Sequence, residues 1–145
     1  MSVYSISVFI HVLFAGIFAG AFIILTVQHR ASLTSDTAAR KVQVPMLLTI
    51  AQQATRIGTS LILLFGVLLL LQRPGMLAGL HLKITIGIIA VALSHMAAAN
   101  IRRLASALDA EADTSSIDGK LSWSLPVTLL LIIVTIFIGV TRAHL

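Results

Sequence analysis

Four of the chain's five histidines lie in or beside long apolar runs, and the chain has no cysteine. His11 sits in VFIHVLFAG. His81 and Lys83 open LHLKITIGIIAVALSHMAAANIRR (80–103), which also carries His95. An ionisable side chain in hydrocarbon costs a few kcal/mol on insertion scales, so such a residue calls for a use. A neutral imidazole can donate a lone pair to a metal. His81 and His95 are 14 positions apart, about 21 Å along a helix and within roughly 40° of one face. His11 and His29 are 18 positions apart, close to five full turns, and also share a face. If the first and third spans run in the same direction, His11 and His81 lie at similar depth. They are then the candidate axial ligands of one haem b, or ligands of a copper ion. His29, beside Arg30, is expected among headgroups, and His95 is expected to hydrogen-bond inside the bundle. The depths of His29 and His95 disagree, so one haem at most is expected. Lys83 either snorkels to the interface or serves the site. His144 has a terminal position and no expected role.

The elements that place these residues are read from hydropathy. The chain has 145 residues, of which 58% are hydrophobic and 10% charged, with a mean hydropathy of +1.04. A soluble domain carries about 25% charged residues. The expected fold is all-α: one integral-membrane four-helix bundle with spans at about 5–27, 50–72, 77–101 and 122–141. The second helix is expected to begin before its span, near Pro45, and the third to extend past Leu104. Pro45 and Pro126 suit first-turn positions. Arg73-Pro74-Gly75 reads as the turn of a hairpin between helices two and three. No basic n-region precedes a small-residue cleavage site, so the first apolar stretch is expected to remain a helix.

Charge predicts orientation. Arg30, Arg40, Lys41 and Arg56 lie between spans one and two, and Arg102, Arg103 and Lys120 between spans three and four. The positive-inside rule puts both long loops in the cytoplasm and both termini outside an inner (plasma) membrane. Asp109, Glu111, Asp113 and Asp118 mark a solvated surface there. The net charge of +5 is explained by topology and lipid contact, so nucleic acid is excluded as a partner. Without cysteine there is no disulfide, iron–sulfur cluster or thiolate metal site. Gly16-x-x-x-Gly20 reads first as a close helix-packing motif, and second as room for a flat macrocycle. Gly58, Gly66 and Gly87 suit either use. Arg56 reads as a topological anchor or as a partner for a haem propionate.

His11, followed by Phe18-Ala19-Gly20 and then by Leu80-His81-Leu82-Lys83, resembles the superfamily of HemJ-type protoporphyrinogen oxidases and the copper resistance protein D (CopD) domain. The resemblance covers the four-span layout and few residues specifically. Tryptophan is usual in those oxidases where Phe18 stands here, and the sole Trp of this chain is Trp123. The resemblance implies a haem b site at His11 and His81, with Lys83 associated with activity. It makes quinone, a partner protein or a porphyrinogen the candidate redox partner. Three function classes follow. The chain is a haem b redox protein, possessing oxidoreductase activity if the resemblance extends so far. Alternatively, it is a copper-handling membrane protein with His11 and His81 as ligands. In the third class it is an accessory subunit of a respiratory or photosynthetic complex without chemistry of its own. Other membrane subunits or a second copy of the chain are the expected protein partners, and Gly20 and Arg56 join the histidines as candidate cofactor contacts.

Overall fold

The computed structural model describes residues 3–72 and 77–142, with side chains at 77–80 and 140–142 left aside. The Arg73-Pro74-Gly75 turn and His144 lie outside the described residues. Within them the chain is helical: α1 (Val3–Leu33), α2 (Thr37–Gln53), a π-helical turn (Ala54–Gly58), α3 (Thr59–Gln72), α4 (Leu77–Asp109) and α5 (Ser115–Arg142). α2, the π turn and α3 form one rod, and the resulting four helical rods are each long and apolar enough to cross a membrane.

Helix runs well past the expected spans. The connections expected as long loops are short, 34–36 and 110–114. The reason is local. No breaker interrupts α1 before Leu33, and Asp36 then caps α2 by accepting the Ala39 N–H at 2.7 Å. α4 ends in a Schellman-type turn, with Ala112 N–H donating to Ala107 O at 2.9 Å and Glu111 N–H to Leu108 O at 3.3 Å. Glu111 takes the left-handed position with φ of 54°. Pro45 and Pro126 are not first-turn residues: each lies inside its helix. Membrane helices tolerate internal proline where neighbouring groups satisfy the freed carbonyls.

α1 packs on α2, α3 and α5, while α4 packs on α2 and α5, so α1 and α4 stand diagonally across the bundle. The core is concentrated toward the end bearing the two short connections, here termed the loop end. Phe22, Leu25, Val44, Leu47, Leu104, Leu121 and Leu125 are fully buried there. At the other end, among the described residues, α3 buries only Thr59 and its close packing against another rod is with α1. The π turn marks this change of neighbours, as expected for a bulge that bends a helix. Hydroxyls along the turn bond back to helical carbonyls one turn earlier. Thr55 Oγ1 donates to Ala51 O at 2.8 Å, Ser60 Oγ to Arg56 O at 2.6 Å, and Thr59 Oγ1 to Thr55 O.

Glycine stands at two of the α1 contacts. A Cβ on Gly58 would stand 2.9 Å from Phe18 Cδ2, so the Phe18 ring requires glycine at the π turn. Gly66 lies beside His11, where a Cβ would make ordinary van der Waals contact with the ring at 3.5 Å. Gly16 and Gly20 differ: nothing lies within 4 Å of a Cβ on either. The expected close packing at Gly16-x-x-x-Gly20 is therefore not made among the described residues. This face of α1 is turned outward, with Ile17 exposed beside it.

Candidate functional site at His11 and Lys83

His11 is half-buried on α1 and faces α3. Its Nδ1 lies 3.1 Å from the backbone carbonyl of Ile62. A carbonyl only accepts, so the bond requires a proton on Nδ1. That fixes the tautomer and leaves the lone pair on Nε2. The bond also orients the ring, since imidazole cannot turn about Cβ–Cγ without breaking it. A ligating histidine commonly has this arrangement, in which the far nitrogen donates to a carbonyl or carboxylate and holds the near one toward the metal.

Lys83 enters from the diagonal helix. Its side chain is half-buried and lies against α5, where a Cβ on Gly139 would meet Nζ at 2.6 Å. The ammonium lies within electrostatic reach of the His11 ring. His81 is two positions earlier, roughly 200° around the helix, and its side chain is exposed. The fold thus brings His11 and Lys83 to one region and leaves His81 on an outer face of α4.

The other named residues are elsewhere. Gly20 is on the outward face of α1 described above. Arg56, in the π turn, is about 9 Å along the rod from Ile62 toward the loop end. His95 is exposed and lines a groove with Arg56. It makes no hydrogen bond among the described residues, where one within the bundle was expected. The reason is its phase: Ser94, Ala97 and Ala98 take the buried face of this stretch of α4.

His29 corrects a second expectation. It is 1% exposed, enclosed by the bundle rather than turned to its surroundings. α1 continues past it, and α2 and α5 close around it. Its neighbourhood is a polar cluster that no local pattern announced. Arg40 Nη2 donates to both Asp118 carboxylate oxygens at 2.8 Å, and Thr114 Oγ1 donates to Asp118 Oδ2 at 2.8 Å. Asp118 is buried, so it does not belong to a solvated surface as its sequence position suggested. Its charge reaches His29, whose ring nitrogens have no hydrogen-bond partner among the described residues. At the edge of this cluster Asp113 is fully exposed. The Ser115 backbone N–H and hydroxyl hold its carboxyl below the usual range.

No three histidine, cysteine, aspartate or glutamate side chains converge on a metal-sized site among the described residues. Fold and site together define a class: a helical protein with four rods of membrane-spanning length, carrying a histidine hydrogen-bonded to a backbone carbonyl and a half-buried lysine within electrostatic reach of it. No family model, curated protein or solved structure matches the chain.

Proposed function

We propose that this chain is a membrane-embedded haem b protein in which His11 would supply a nitrogen ligand to the iron and Lys83 would offset the charge of a haem carboxylate. The observation that carries this reading is the His11 Nδ1···Ile62 carbonyl bond at 3.1 Å. It leaves Nε2 as the free donor on a ring that cannot swing away. Lys83 adds a positive charge within reach of the same region, suited to a propionate. Haem needs only one or two protein ligands, whereas a copper site made by protein alone needs several convergent donors. Bound haem would supply one-electron transfer. The chain's own part is to orient the ligand, to neutralise carboxylate charge and to hold the group in an apolar surround. His81, near Lys83 in the chain, is the proposed second ligand, which requires this end of α4 to rotate, since its side chain stands on the outer face. Quinone, a partner protein or a porphyrinogen remains the class of redox partner proposed. The basic residues of the loop end support placing that end in the cytoplasm and both termini outside.

The outward Gly16/Gly20 face favours a second reading, in which the chain packs against another helix as an accessory subunit. Optical spectra of the purified protein separate the two. Haem binding gives a Soret band in the wild type that is lost in His11→Ala. A wild-type protein that takes up no haem when titrated with it supports the accessory reading.

A further inference from the structure

A groove of about 370 Å³ lies between the π turn and α4, on the loop-end half of the bundle. Arg56, Gln52 and Thr55 line one wall. The other wall is a single face of α4, with His95 and Arg102 seven positions apart and Ala98 and Ala99 between them. The two alanines keep this face low, so the longer side chains form the rims. Thr55 already donates its hydroxyl proton to Ala51 O, so the donors facing the groove are the two guanidiniums, the Gln52 amide and the His95 ring.

The electrostatics are one-sided. Arginine stays protonated at any relevant pH, and no carboxylate lines the groove. Neither the Arg56 nor the Arg102 guanidinium has an ion-pair or hydrogen-bond partner among the described residues, where the two ion pairs are Arg40–Asp118 and Lys41–Glu111. Two planar forks on opposite walls of one groove match the geometry of a phosphate, which each can bind through two N–H groups.

Depth indicates where such a phosphate would come from. Arg56 is about 24 Å along the rod from Gln72, and Arg102 about 32 Å along α4 from His81. The hydrocarbon core is about 30 Å thick. With the far end of the bundle at one interface, Arg102 reaches the headgroup level of the other, and the Arg56 backbone, about 6 Å short of it, reaches the same level through its long side chain. Ile57 and Met96, next in sequence to two of the lining residues, are 53% and 52% exposed. They offer apolar surface beside the groove for acyl chains.

We propose that this groove is a binding site for a phosphate group, and that an anionic phospholipid headgroup in the loop-end leaflet is its source. The π turn is then a functional device. One extra residue in the turn resets the phase of the rod, bringing Arg56 to the α4 side while Thr55 and Thr59 stay buried. The site is independent of the haem reading, since neither His11 nor Lys83 takes part.

The test uses the full chain in a neutral detergent micelle and counts retained lipid by native mass spectrometry. The probes are a short-chain phosphatidylglycerol, phosphatidylcholine of the same chain length, and inorganic phosphate. The wild type should retain one phosphatidylglycerol in preference to phosphatidylcholine. Arg56→Gln or Arg102→Gln should weaken that retention by about tenfold, the loss of one charge-assisted pair. Arg103→Gln, on α4 but outside the groove, should change it less than about twofold. Competition by millimolar inorganic phosphate, lost in the same two variants, would support the phosphate site and move its source to a soluble anion. Equal weakening by all three substitutions would overturn the proposal, because attraction would then follow net charge rather than the groove. Equal retention of phosphatidylcholine would overturn it as well.

Discussion

Replacing Asp118 with asparagine should cost about 2–3 kcal/mol of stability, although the change keeps the side chain's shape. The carboxylate accepts two contacts from Arg40 and one from Thr114, each at 2.8 Å. Unit charges about 4 Å apart attract by about 4 kcal/mol at the effective dielectric of a protein surface. Desolvation offsets part of that gain. Removing one charge, however, leaves the other buried and unpaired, which in a fully buried pair costs about 3–5 kcal/mol. The two side chains here are 14% and 12% exposed, so water recovers a fraction of the loss. Reversible unfolding by sodium dodecyl sulfate in mixed micelles would measure this. A double-mutant cycle of Asp118→Asn with Arg40→Gln should give a coupling of about 2 kcal/mol, close to 30-fold in the unfolding constant. A coupling below about 0.5 kcal/mol would show that the pair behaves as an exposed one, and the argument from burial would be wrong.

Other expectations follow from single contacts. Gly58→Ala should destabilise by about 1 kcal/mol: overpacking against Phe18 costs about 1–3 kcal/mol and alanine's helix preference returns up to about 1. Phe18→Leu in the same chain should relieve the loss, as denaturant midpoints would show. Glu111→Gly should be neutral or stabilising by about 0.5 kcal/mol, because relief at the left-handed position outweighs an exposed pair with Lys41. Asp113 has a lowered carboxyl pKa, so its hold on Ser115 is complete above the ordinary aspartate range. It is lost as pH falls through the lowered value, and the Ser115 amide should lose exchange protection over that acid interval. A cysteine introduced at Ser116 should resist labelling from outside the cell; outside labelling would reverse the proposed orientation.

The four apolar rods were legible because hydropathy over some twenty residues is a local property. The helix extensions at the loop end were less so. Polar residues such as Arg40 and Asp118 read as loop when each is taken alone, and their pairing spans 78 positions. His29 is buried by the same long-range closure. The π turn has no composition that sets it apart from the helix on either side. At the candidate site, His11 and Lys83 were legible as ionisable groups in apolar runs. The Ile62 carbonyl was not, since backbone partners leave no mark in a sequence. The outward phase of His95 was likewise hidden, because α4 is apolar on several faces.

The most direct measurement is the haem content and reduced-minus-oxidised spectrum of the purified full chain, compared across His11→Ala, His29→Ala and His95→Ala. If His11 is the ligand that the Ile62 carbonyl orients, the wild type binds one haem b per chain. His11→Ala abolishes the spectrum, whereas His95→Ala and His29→Ala retain it. A haem spectrum that survives His11→Ala, or a wild type that binds none, would contradict the account.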